Sequence, residues 1–300
     1  MSWVIDLYRA TPCAVELFVP WDAPRHQRLV SSGGQGQGSA WEDVLVGQTR
    51  GVRKERASDY GDAHASVYDR IYGERFIPEP AVTALARAVG PEGRLLELGI
   101  GTGRLAIPLA DRGIRVEGIE ASAAMIEQLR SQAGGEHIPV HQVDLADFEL
   151  PHKGFNVAVC AVSTLFMLPG RSSQQSCMAA TARHLRPRGF LFIEAFRPDP
   201  SRFDDDGNRV ELRTDPYGTH VVRSHHDSVQ QAIHITHELS DGSDVASYRV
   251  TLHYASCNEL DEMAALAGLN LRERWHDWSG RPAGEDSADP VSVYQSVRRT

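Results

Sequence analysis

Long apolar runs, paired cysteines and an excess of basic charge are all missing from this 300-residue sequence, and each absence removes a class of protein. The longest apolar stretches fall far short of the ~20 residues that a transmembrane helix needs. The four cysteines, Cys13, Cys160, Cys177 and Cys257, lie far apart with no C-x-x-C pair. That spacing excludes a zinc framework and a disulfide-dense secreted scaffold. The N-terminus, MSWVIDLYRATP, carries Asp6 and Arg9 instead of a basic segment followed by an apolar one, so no secretory signal is expected. Lys plus Arg number 31 against 40 Asp plus Glu, a net charge of −9. Phosphate binding draws on clustered cations, so neither nucleic acid nor an anionic membrane is an expected partner. The one short basic run, Arg50 to Arg56, is broken by Glu55 and reads as a solvated face. A soluble, reduced, cytoplasmic protein is expected.

What remains is ordinary globular composition, 41% hydrophobic and 24% charged, in a chain long enough to bury a large core. Residues 1–50 hold three of the five tryptophans (Trp3, Trp21, Trp41) and end in the tract SSGGQGQGS, a flexible-linker composition. They read either as an extension docked through Trp3, Phe18 and Trp21 or as a disordered leader. Residues 51–90 form a helical cap. In it Tyr60, His64, Val67, Tyr68 and Ile71 recur on one helical face, and a second helix spans Glu79 to Val89. Residues 91–197 alternate strand and helix. Strands are expected at Arg94 to Leu98, Ile114 to Ile119, His137 to Val143, Phe155 to Val162 and Phe190 to Phe196. Helices fit Thr102 to Arg112, Ser122 to Gln132 and Arg171 to Leu185. That alternation specifies βαβ units and a parallel sheet with helices on both faces. Residues 198–255 change to period-2 alternation, with Asp241-Gly242-Ser243-Asp244 as a hairpin turn, and read as an inserted antiparallel lid. Residues 256–300 complete the core with a helix from Cys257 to Ala267 and strands near Leu271 to Trp275 and Ser292 to Val297.

The strongest local signal is LLELGIGTGR, Leu95 to Arg104. A buried strand ends in an acid, and G-x-G-x-G then lets backbone approach a ligand closely. A dinucleotide fingerprint needs its last glycine where Arg104 stands, so the spacing argues against a nicotinamide oxidoreductase. Glu97 would also repel a pyrophosphate, and it would attract a ligand carrying an ammonium and a sulfonium.

With these residues the chain resembles the class I S-adenosylmethionine-dependent methyltransferases over roughly Asp59 to Val297. The resemblance implies a Rossmann-like α/β fold, with a seven-stranded, mostly parallel sheet, and S-adenosylmethionine as cofactor. It places Gly99 and Gly101 against the cofactor and Glu97 beneath its amino-acid end. Glu120, closing the Gly118-Ile119-Glu120 strand about 20 residues on, would accept both ribose hydroxyls, with Ala121 beside it. Asp144 and Leu145, after the third strand, would meet the adenine, with Met125 nearby. Ala161, near the end of FNVAVCAV, would also contact the cofactor, just before Ser163 to Phe166, where the substrate side begins. Tyr60 and Tyr68 would close over the methionine half.

Each of these residues also has a purely structural reading. Glu97 could be a strand-end acid, Glu120 an acid favoured by a helix dipole, and Met125 or the tyrosines core. Asp147 competes with Asp144. Six of the 13 histidines fall between His220 and His253, but their spacing lacks a ligand set, so no metal site is expected. The lid is expected to choose the acceptor, with His225, His226, Tyr248 and Tyr254 toward it. The expected reaction is methyl transfer to O or N of a small molecule, a secondary metabolite by resemblance to methyltransferases of antibiotic pathways. That family resemblance also covers the tail LRERWHDWSGRP. The competing reading is an S-adenosylmethionine-binding protein without methyl transfer, in cyclisation or regulation. No catalytic base is identifiable, and a homodimer is compatible with all of this.

Overall fold

The computed structural model describes residues 57–72, 79–215, 218–240 and 245–297. The N-terminal extension and the turn at 241–244 lie outside them. Two helices open the described chain, α1 (Asp59–Tyr72) and α2 (Glu79–Val89). The alternating core follows as β1 (Arg94–Leu98), α3 (Ala106–Asp111), β2 (Arg115–Glu120), α4 (Ala123–Ser131), β3 (Val140–Gln142), β4 (Phe155–Cys160), α5 (Gly170–His184) and β5 (Leu185–Glu194). Four antiparallel strands come next, β6 (Asn208–Asp215), β7 (Gly218–Asp227), β8 (Ala232–Ser240) and β9 (Val245–His253). The chain then adds α6 (Cys257–Leu266), β10 (Leu269–Trp275) and β11 (Val291–Ser296).

The core sheet has the order β10-β11-β5-β4-β1-β2-β3, with β11 antiparallel to both neighbours and β1 to β5 parallel. Strand order reverses between β1 and β4, the place where an open α/β sheet forms its ligand crevice. Alternate residues of the central strands feed opposite cores. Leu96, Ala158, Leu191 and Ile193 pack with α5 and α6, whereas Leu95, Val157, Val159 and Phe192 pack with α2, α3 and α4. Both sheet faces are therefore covered, which explains the near-continuous apolar runs of β1 and β4.

Three boundaries differ from the sequence expectation by three or more residues. α3 begins at Ala106, not Thr102, because Gly103 sits at φ +89°, outside the right-handed helical region. β3 is only three residues long, since Gly135–His137 forms a 3-10 turn. β5 starts at Leu185, not Phe190, and residues 187–189 form an irregularity within the strand, where Phe155 pairs with Leu185 but Val157 with Phe190. No helix among the described residues is long and apolar enough to cross a membrane.

Candidate active site

β1 and β2 end side by side, and their terminal acids differ sharply in environment. Glu97 is buried, and among the described residues its Oε2 has no hydrogen-bond partner. Burial pushes its carboxyl up to about 8; Arg104 opposes that rise and Glu120 adds to it. A buried polar atom left unsatisfied costs stability, so the sequence maintains a group that only a cationic or donor ligand would satisfy. Glu120 is instead already engaged. It accepts the Gly101 N–H at 3.0 Å and the Ser122 N–H at 2.9 Å. Burial raises its pKa, and the N–H groups of Ser122, Gly101 and Ala121 oppose that rise. The carboxylate thus pins the glycine turn to the start of α4. A carboxylate offers about four acceptor sites, so capacity remains for a ribose diol.

The turn itself carries Gly99 at φ +73°, Gly101 at +54° and Gly103 at +89°, a backbone that side chains with a Cβ rarely adopt. At Gly101 a Cβ would meet nothing within 4 Å, so that side of the turn is open to a ligand.

α1 lies across this turn. At Gly61 an added Cβ would collide with Ser122, so the helix approaches α4 at backbone distance. Two carboxylates stitch it down. Ser122 Oγ donates to Asp62 at 2.6 Å, and Thr102 Oγ1 donates to Asp69 at 2.7 Å. Gln132 Nε2 donates to Asp69 as well, at 3.1 Å. Sequence reading passed over both acids, although a spacing of seven puts them on one helical face. Tyr60 and Tyr68, both on α1, are half-buried. Tyr60 stacks on His64, with ring centroids 4.2 Å apart. The helix's buried face runs through Gly61, His64 and Ala65.

Of the remaining expected residues, Met125 is buried in α4 under Gly61, and Ala161 is buried just past β4. Ala121 is half-buried beside Glu120, and Leu145 is half-buried against the core. Asp144 is exposed, and its carboxylate accepts the Ala146 N–H at 2.8 Å. Asp147 turns away to Arg183 at 3.2 Å, which separates the two competitors. The structure thus brings Glu97, Gly99, Gly101, Glu120 and Ala121 to the adjacent ends of β1 and β2, the crevice floor, with Met125 beside it against Gly61 of α1.

The insert presents a different chemistry. Direct partners in an antiparallel pair share a face, and β8 pairs His237 with Tyr248 of β9. Their rings stack at 4.4 Å, and His220 Nε2 lies 2.9 Å from His237 Nδ1. Tyr248 also meets the ring of His64 edge-on, so this row packs on α1. Burial lowers His64 to about 4 and His237 to about 3, so both imidazoles are neutral near pH 7. His64 Nδ1 contacts the Tyr60 carbonyl. A carbonyl only accepts, so Nδ1 carries the proton and Nε2 is left as an acceptor. Among the described residues Nε2 has no partner.

The expectation that His225 and His226 act together is corrected. Adjacent strand residues face opposite ways. His226 turns inward and lies 2.8 Å from the Tyr254 hydroxyl. His225 lies 3.1 Å from Asn208 and stacks with His234 on the other face. No group of three or more His, Cys, Asp or Glu among the described residues could hold a metal ion.

A doubly wound sheet, a glycine turn at its switch point and paired strand-end acids define a protein that binds a nucleoside carrying positive charge. Comparisons with known proteins make this specific. Residues 95–189 match a family model described as a methyltransferase domain. The chain is 30% identical over 227 residues to the dTDP-3-amino-3,6-dideoxy-alpha-D-glucopyranose N,N-dimethyltransferase of Streptomyces fradiae, covering 71% of this chain and 86% of that one. It is 24% identical over 243 residues to the cypemycin N-terminal methyltransferase of a Streptomyces species, covering 79% and 98%. Among solved structures, the CcbJ methyltransferase of Streptomyces caelestis superposes with a TM-score of 0.74 at 31% identity, over 81% of this chain and all of that one. This chain belongs to the S-adenosylmethionine-dependent methyltransferases, and its activity is methyl transfer from that cofactor.

Proposed function

We propose that the acceptor atom is an amine nitrogen on a small polar metabolite of a natural-product pathway, and that the residues gathered beneath α1 hold the cofactor. The single observation that carries the cofactor assignment is the buried, unpartnered carboxylate oxygen of Glu97. On this reading Glu97 takes the ammonium end, Gly99 and Gly101 line the backbone approach, and Glu120 with Ala121 takes the ribose. Met125, Asp144 and Leu145 take the adenine, while Ala161, Tyr60 and Tyr68 wall the methionine half. When bound, S-adenosylmethionine supplies an electrophilic methyl group on a sulfonium.

The protein's task is then to align an acceptor lone pair, and positioning of this kind is worth ~7–11 kcal/mol. Two relatives aligned over most of the chain carry names that specify amine acceptors, an amino sugar and a peptide N-terminus. The neutral imidazole of His64 suits such an acceptor, since its Nε2, unpartnered among the described residues, can accept a hydrogen bond from an amine N–H. A cytoplasmic setting, a homodimer and the division at residues 50, 90, 197 and 255 belong to the same reading.

The test is a panel of dTDP-amino sugars, peptides with free N-termini, phenols and sugar hydroxyls, scored by S-adenosylhomocysteine released. Turnover confined to amines is expected. Turnover of a phenol or sugar hydroxyl with no amine active overturns the assignment.

A further inference from the structure

β4 leaves the sheet through two residues in left-handed backbone, Val162 at φ +52° and Ser163 at φ +57°. A β-branched residue adopts this region only where its surroundings over-determine it. Here the constraint comes from one residue on the neighbouring strand. Val162 N–H donates to Glu194 Oε2 at 2.7 Å, and Ser163 N–H donates to the Glu194 carbonyl at 2.9 Å. The other carboxylate oxygen accepts Trp278 Nε1–H at 2.8 Å, and that indole stacks on Phe192. Phe196 N–H closes the arrangement by donating to Ser163 Oγ at 3.1 Å. The strained pair delivers Thr164 onto the glycine turn, where its Cγ2 occupies the space that a Cβ on Gly99 would need.

We propose that Glu194 is a positioning residue for the cofactor site, holding Val162 and Ser163 in their strained conformation so that Thr164 stays seated on Gly99, with Trp278 fixing the carboxylate. The proposal rests on the reading of the glycine turn as the cofactor site, and it gives Trp278, in the tail LRERWHDWSGRP, a role. Both oxygens of Glu194 act as acceptors. Glutamine keeps only one and turns an NH2 group toward a donor. Burial raises the Glu194 pKa, while the N–H groups of Val162 and Trp278 hold it down.

The test uses the full chain with S-adenosylhomocysteine as probe, by calorimetry well below each variant's melting temperature, together with amide hydrogen exchange at Val162. Glu194→Gln should weaken probe binding at least about fivefold and speed Val162 exchange at least about tenfold, as expected for loss of one charge-assisted bond in a packed network. Trp278→Phe keeps the ring on Phe192 and should shift both readouts the same way by about two- to threefold. It carries the test if Glu194→Gln does not fold. Glycine adopts left-handed backbone unaided, so in a Val162→Gly background Glu194→Gln should cost less affinity than in the wild type. A Glu194→Gln protein that melts earlier yet binds the probe within about twofold of the wild type or loses equal affinity in both backgrounds, or a Trp278→Phe protein whose affinity is unchanged, makes Glu194 merely structural and overturns the proposal. Glu97→Gln separates the two readings. If it loses affinity and Glu194→Gln does not, the cofactor site stands and the positioning role falls.

Discussion

The crevice floor and the inserted sheet are both rich in polar side chains, but they satisfy those groups in opposite ways. In the insert the histidines pair with nearby groups: His220 with His237, His225 with Asn208, His226 with Tyr254 and His234 with Thr251. On the floor, Glu97 is buried with an oxygen left over. A surface whose histidines pair with nearby side chains can be rebuilt for a new acceptor without destabilising the core, whereas a buried carboxyl with an oxygen left over either stays protonated or gains a cationic partner. The two regions therefore divide the work. On the proposed reading the floor is committed to one cationic cofactor, and the insert adapts to the acceptor.

The largest effect expected to separate them is at Glu97. Glu97→Gln removes a charge-assisted contact of about 1.5–3 kcal/mol, so S-adenosylmethionine affinity should fall roughly 10- to 150-fold by calorimetry. The empty protein should move the other way. The folded carboxyl titrates near 8 rather than at the ordinary 4.5. Its contribution to stability is therefore fully present below 4.5 and is lost as pH rises through 8. The variant, which lacks that loss, should melt above the wild type at pH 8 and above without ligand. A lower melting temperature there would contradict the account.

Glu120→Ala should come next, with an affinity loss of more than about tenfold. Because Glu120 also accepts the Gly101 and Ser122 amides, faster exchange of those two amides should accompany the loss. Unchanged affinity would remove Glu120 from the site.

The insert should behave in the complementary way. Alanine at His226 or Tyr254 should raise the acceptor Michaelis constant or lower turnover severalfold while leaving cofactor affinity within about twofold, since acceptor orientation alone governs the rate there. His225→Ala, on the opposite face, should change neither. If His226→Ala weakens cofactor binding and spares the acceptor, the insert is a cofactor cover. The smallest effect concerns residues 1–49. The tract SSGGQGQGS separates them from the sheet, so their deletion should shift the melting temperature in saturating cofactor by no more than a few degrees. Loss of soluble protein would show that Trp3, Phe18 and Trp21 complete a core or an interface.

This contrast also explains what could be read without coordinates. The glycine turn, Glu97 and Glu120 are specified by short contiguous spacing, because strand end, turn and helix start follow one another in the chain and backbone geometry dictates the residue types. Strand alternation followed from the same periodicities, but the antiparallel direction of β11 did not. Asp62, Asp69, His64 and Glu194 were not legible as site residues, since their meaning depends on partners that lie 32 or more residues away in every case but His64 to Tyr60. Val162 carried no signal at all, because nothing in FNVAVCAV marks a left-handed valine. In the insert the opposite facing of His225 and His226 was available from strand periodicity and was overlooked in favour of their adjacency.

The central claim is that Glu97 stays protonated and unsatisfied until the cofactor arrives, and proton release on binding tests it most directly. With burial raising its pKa to about 8, Arg104 opposing and Glu120 reinforcing, the carboxyl of the empty protein is mostly protonated at pH 7, and an arriving ammonium favours its ionised form. Calorimetric titration of S-adenosylmethionine at pH 7, in two buffers of different ionisation enthalpy, should show release approaching one proton per site in the wild type and a clear deficit in Glu97→Gln. Equal proton release from the two proteins would contradict the claim.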